Sequence, residues 1–217
     1  MKRLLFSTLM AISCFQLKAQ TIFMTEYVEG DKNQHAIEIV NNSGAPIDIS
    51  SLRICTYYNG GLTHSSPSFA TLADDGVTNK IPHQGVFVFY FTGQDGFQDA
   101  DATFPNAKKS QRAGISKGGS LGFNGNDAIE LQYNNGSGWK RVDLFGKIGD
   151  NPDMQAWKVS GTKLTASNRA LYRISSVKTG VVENPEVFDL AKEWALVNNE
   201  IPAAPINSLG QAGPPMK

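Results

Sequence analysis

The stretch "FNGNDAIEL", Phe123 to Leu131, decides how this chain is read. Asn124-Gly125 is a dipeptide suited to a tight turn. The residues after it alternate: Ile129 and Leu131 share one side, and Glu130 takes the other. Two readings compete for the acids Asp127 and Glu130. One is an acidic metal or catalytic loop. The other is the entry to a strand, with Asp127 bonded to backbone amides of the turn and Ile129 and Leu131 packed inward. Period-two spacing favours the second and predicts an outward Glu130.

The same period recurs along the chain. "IFMTEYV" (22–28), "HAIEIVN" (35–41), "KRVDLFG" (140–146) and "RALYRI" (169–174) read as strands, and "IDISSLRICTYY" (47–58) as a strand broken near Ser50-Ser51. "GVFVFYF" (85–91) is apolar throughout and is expected to be the most buried strand. "NNSG" (41–44), "YNGG" (58–61) and "NNGSG" (134–138) turns separate these runs. "AIEIVNNSG" (36–44) and "AIELQYNNGSG" (128–138) echo one another, as two equivalent strands of one sandwich do. Helical spacing is scarce. "NPEVFDLAKEWALV" (184–197) puts Val187, Leu190, Ala191 and Trp194 on one helical face, although "EWALV" also suits a strand. Residues 92–117 read as a long loop. The expected fold is an all-β, immunoglobulin-like β-sandwich with long loops and at most one short C-terminal helix.

Residues 1–20 read as a signal peptide: Lys2 and Arg3, an apolar run from Leu4 to Phe15 too short to span a bilayer, then small Ala19. Cys14 is a weak lipidation candidate. Residues 21–200 form the domain, and 201–217 a Pro/Gly-containing C-terminal tail expected to leave the core. Cleavage removes three of the 20 basic side chains (Lys2, Arg3, Lys18) and no acid. The remaining 17 face 20 acids, a formal charge of −3. That balance disfavours a non-specific nucleic-acid binder. Cys55 is then the one remaining cysteine, so no internal disulfide forms and the thiol reads as a small buried hydrophobe.

Residues with chemical potential fall short of the patterns their chemistry needs. "GGSLG" (118–122) matches G-x-S-x-G, but no helix follows Ser120, as a hydrolase elbow needs. His35, His64 and His83 lack zinc-ligand spacing. Asp95, Asp99 and Asp101, and the "GDNPD" run 149–153, lack calcium-loop spacing. Glu26 and Glu38 fall on neighbouring strands and would suit acid–base work only in a cleft. No catalytic, cofactor or metal residue is expected. Tyr57, Tyr58, Trp139 and Trp157 are candidate ligand contacts, because aromatics anchor interfaces, with core packing expected for at least two of them. Lys108, Lys109 and Arg112, with Lys117 beyond, form a basic stretch that would suit a polyanion.

In order and content, "TEYVEG", "QHAIEIVNNSGAPIDISSLRI", "IPHQGVFVFY", "GFNGNDAIELQYNNG", "VDLFGKIGDNP" and "RALYRISSVKTGVVENPEVFDLAKEW" resemble the bacterial lamin-tail domain family, over about Thr21 to Trp194. The resemblance implies an immunoglobulin-like sandwich without catalysis of its own, found in exported or surface proteins and sometimes attached to nucleases or phosphatases. With the signal peptide, the expected localisation is periplasmic, cell-surface or secreted; no cofactor is expected, and the expected partner is a protein or glycan of the envelope. The alternative that the resemblance carries is an accessory module to nuclease or phosphatase chemistry, binding nucleic acid or phosphate through Lys108, Lys109 and Arg112.

Overall fold

A computed structural model describes residues 21–92, 99–115, 119–152, 156–160, 162, 164–198 and 200–211. The segment read as a signal peptide, Cys14, Asp95, Lys117 and Asp153 lie outside the described residues. Among the described residues, alternation becomes eleven strands: β1 (Ile22–Glu29), β2 (Gln34–Asn41), β3 (Ile47–Asp48), β4 (Leu52–Tyr57), β5 (Lys80–Ile81), β6 (Val86–Thr92), β7 (Arg112–Gly114), β8 (Ala128–Asn134), β9 (Trp139–Phe145), β10 (Ala170–Arg173) and β11 (Trp194–Leu196). A six-stranded sheet runs β11-β10-β1-β2-β6-β7, a three-stranded sheet β4-β8-β9, and β3 pairs with β5. Pairing is antiparallel except between β6 and β7. The fold is an all-β sandwich.

The two larger sheets bury their facing sides against one another. Met24, Tyr27, Ile37, Ile39, Phe87 and Phe89 of the large sheet join Leu52, Ile54, Ile129, Leu131, Val142 and Phe145 of the smaller in one core. Each such side chain contributes roughly 1.5–3 kcal/mol through burial. Tyr27 stacks on Phe145 with ring centroids 4.7 Å apart, tying β1 to β9 across the layers. A bulge between Met24 and Glu26 in β1 inserts Thr25, so that Met24 and Tyr27 both face inward despite their odd spacing. The echoed strands β2 and β8 lie in opposite sheets, as Ile37 and Ile39 meet Ile129 and Leu131 in the same core.

"GVFVFYF" lacks a polar side because both of its faces are covered. Phe87 and Phe89 enter the main core, whereas Val88 and Tyr90 turn to the outer face of the large sheet. There they pack with Val28, Ala36 and Ala170 beneath Phe104, Ala107, Ile206 and Leu209. The cover comes from two segments read in sequence as loose. Within 92–117 lie a short helix α1 (Ala100–Thr103), a 3-10 turn Lys109–Gln111, and β7. Residues 201–211 do not leave the body of the protein: Ile206 and Leu209 are buried on the sheet. The helical pattern at 184–197 resolves into one 3-10 turn, Leu190–Lys192, started by Asp189, then strand β11. Trp194 packs edge-on against Phe145, and the Val187 position on the expected helical face is exposed.

Candidate functional site

The Asn124–Asp127 turn is built around its acid. Asp127 is fully buried, its Oδ2 accepts Asn124 N–H at 2.6 Å, and its Oδ1 accepts Asn59 N–H at 2.8 Å. Burial pushes its carboxyl above the usual range, while those two amides pull it down. Trp157 closes the turn: its Nε1–H donates to Asp127 O at 2.9 Å and its N–H to Gly125 O at 2.8 Å. Gly125 is required, because a Cβ there would lie 2.4 Å from Ser167 N. Asp127 binds one amide of its own turn, that of Asn124, as its spacing in sequence implies, and a second from the distant Tyr58–Gly60 turn, which the spacing does not.

The other sequence candidates are equally committed. Ser120 is buried; its Oγ accepts Thr56 N–H at 2.9 Å, donates to Ser66 O at 3.1 Å, and shares a 2.7 Å hydrogen bond with Ser65 Oγ. His35 is buried in β2, with Nδ1 2.8 Å from Leu121 O and its ring stacked on Phe123. Burial lowers its pKa. His64 sits beside Tyr57, and exposed His83 accepts Gly44 N–H. Cys55 is buried, and burial pushes its thiol up to about 12. No group of three or more His, Cys, Asp or Glu able to hold a metal is found among the described residues.

The outer face of the smaller sheet carries a polar ladder. Arg53 Nε–H donates to Gln132 Oε1, and Gln132 Nε2–H to Glu130 Oε1, each at 2.7 Å. Glu130 Oε2 accepts Tyr57 O–H at 2.7 Å and Arg141 Nη2–H at 3.2 Å. Glu130 points away from the core, as its alternation requires, yet it is buried rather than solvated. Tyr57 and Trp157 are both buried, so two of the four aromatics are used in packing. Tyr58 is half-buried, with O–H donating to Gly119 O. Trp139 is half-buried at the end of the ladder, with the Arg53 guanidinium 4.3 Å above its ring.

The basic stretch does not present three cations. Arg112 is buried, its Nε 3.0 Å from Asp74 Oδ2 and its Nη1 2.7 Å from Ala107 O, and it also pairs with Asp101. Lys109 lies 3.2 Å from Asp101, and Lys108 is exposed. Asp99 accepts from Asp101 N–H at the start of α1, so these acids shape a helix turn and a salt bridge.

Alternation missed the most heavily bonded acid. Asp143 in β9 is fully buried between the sheets, where Oδ2 accepts Met24 N–H and Arg173 Nη1–H, and Oδ1 accepts Leu144 N–H, Val181 N–H and Arg173 Nη2–H, at 2.7–3.2 Å. Gly180 allows this approach, since a Cβ there would lie 2.1 Å from Val142 O. The available signal was Arg173, two residues beyond Leu171 and thus on the same inward side of β10. Compared with known proteins, the chain matches no family model, and no match is found among curated proteins or solved structures.

Proposed function

We propose that this chain is an exported, non-catalytic, lamin-tail-like β-sandwich that acts as a binding or surface-interaction module for a protein, glycan or other envelope component. The observation that carries this reading is the commitment of its reactive side chains. Asp127, Ser120, His35, Glu130 and Asp143 are all bonded to groups that hold the fold. Among the described candidate contacts, Tyr58 and Trp139 are half-buried and Lys108 is exposed, and of these Trp139 sits at the end of a polar ladder with Arg53 stacked on it. The Trp139 indole and the guanidinium stacked on it would offer a sugar an apolar surface and hydrogen-bond donors.

The alternative polyanion reading loses Arg112 to burial, and Lys109 shares a surface ion pair with Asp101. The test is binding of the mature chain to an array of envelope glycans and to purified cell-wall sacculi. Trp139→Ala should weaken binding at least about tenfold with an unchanged melting temperature, because an interface aromatic is worth more than 1 kcal/mol. Unchanged binding by that variant overturns the placement. Hydrolytic turnover by the purified chain that is lost in Ser120→Ala overturns the non-catalytic reading.

A further inference from the structure

On the outer face of the large sheet, Glu26 and Glu38 stand opposite one another on β1 and β2, 2% and 1% exposed. The chain's own later segment covers them. Ser208 O–H donates to Glu26 Oε1, and Gly210 N–H donates to Glu38 Oε2 at 2.7 Å. Thr25, the bulged residue, donates to Glu38 Oε1 at 2.7 Å. The covering segment is pinned at both ends. Pro202 O accepts Asp31 N–H, Ile206 N–H donates to Thr103 O, and Gly210, at φ 87°, passes so near α1's following turn that a Cβ would lie 2.5 Å from Ala107 Cα. Beside it runs a cavity of about 570 Å³, lined by Val197, Pro205, Ser208 and Gln211, so water has a route to the segment's flank.

The donors on both carboxyls are uncharged. Across the strands, Glu26 faces Tyr172 of β10 and Glu38 faces Val88 of β6. Arg112 of β7 lies next in that row, but its guanidinium is held by Asp74, Asp101 and the carbonyls of Ala100, Phe104 and Ala107. On β1 and β2 themselves, Glu29 is engaged by Tyr27 and His35 by Leu121 O, both toward the core side. From the segment around α1, Asp101 pairs with Lys109, Asp99 starts the helix, and Lys108 is exposed.

We propose that residues 202–211 are a proton-operated strap: they stay seated while the Glu26–Glu38 pair retains a proton, and release when both carboxyls are charged, uncovering the apolar face of Val28, Ala36, Val88 and Ala170. Two like charges facing each other away from water are costly, and lifting the strap hydrates them. Burial pushes Glu26 up to about 8, with the charge of Glu38 adding to it, and pushes Glu38 up to about 7. The Ser208 and Gly210 donors favour the charged forms but are outweighed by burial. Both values are raised above the unfolded value of 4.5, so the stabilisation is full below 4.5 and is lost as pH rises through about 7 and 8.

The test is hydrogen exchange of the full chain, corrected for intrinsic rates, from about pH 6 to about pH 9. Protection over 203–211 should fall at least about tenfold while that of β8 holds, and the Glu26→Gln/Glu38→Gln variant should stay protected throughout. If the double variant does not fold, each single Glu→Gln variant should delay release by at least about one pH unit, because one charge of the pair is gone. A wild-type strap still protected at about pH 9, or variants that lose protection on the wild-type profile, would overturn the proposal.

Discussion

Replacing Asp143 with alanine should cost far more than replacing its partner Arg173. In Asp143→Ala, the buried Arg173 guanidinium keeps Glu193 and Met24 O but loses its two-oxygen partner. The N–H groups of Met24, Leu144 and Val181 lose this acceptor at the same time. Breaking a buried pair by removing one member costs about 3–5 kcal/mol, and each orphaned amide about 1–3. These penalties overlap, so a loss of about 5 kcal/mol is expected. That is a large part of the roughly 5–15 kcal/mol that holds a domain together. In Arg173→Met, by contrast, the carboxylate keeps three backbone N–H donors, from Met24, Leu144 and Val181. Its charge stays solvated by peptide dipoles, and a loss of about 2 kcal/mol is expected. Urea unfolding followed by tryptophan fluorescence reads both. With a slope of about 2 kcal/mol per molar, the midpoints should fall by about 2.5 M and about 1 M. Equal shifts, or a larger shift for Arg173→Met, would refute the view that Asp143 organises backbone from both sheets.

The same geometry sets further outcomes. Ile129→Asp places a charge in the main core and should leave the chain unfolded by circular dichroism at room temperature. Glu130→Gln keeps one oxygen for Tyr57 but turns an N–H toward the Gln132 donor and loses charge toward Arg141, so a loss of about 2 kcal/mol is expected on thermal melting. Gly180→Ala drives a methyl group into Val142 O and should destabilise by about 3 kcal/mol in the same assay. Cys55 should react with a thiol reagent only at the rate of global unfolding, because it is buried and its thiol is held up to about 12.

Much of the sandwich was legible in the sequence because one physical rule wrote it. Period-two spacing places Ile37, Ile39, Ile129 and Leu131 in one core, and the turn role of Asp127 follows from its position after Asn-Gly. The same rule fails at outward positions. It sends Glu26, Glu38 and Glu130 to solvent, but cannot tell that a sheet's second face is covered. The cover over Glu26 and Glu38 comes from residues 99–111 and 202–211, whose contacts are sporadic anchors such as Phe104, Ile206 and Leu209 rather than a periodic stripe. A fully apolar β6 was the signal of a second covered face. The bulge at Thr25 and the Asp143–Arg173 pair were hidden for a different reason: both depend on which residues oppose one another across strands, and a single strand's pattern does not carry its register.

The central claim, that the polar side chains of this chain serve its fold rather than chemistry, is tested most directly at Asp127. Equilibrium unfolding of Asp127→Ala should show a loss of about 2–3 kcal/mol, from the orphaned amides of Asn59 and Asn124, with wild-type stability unmoved by millimolar calcium. Wild-type stability in Asp127→Ala, or a calcium-dependent rise in the wild-type melting temperature that this variant abolishes, would contradict it.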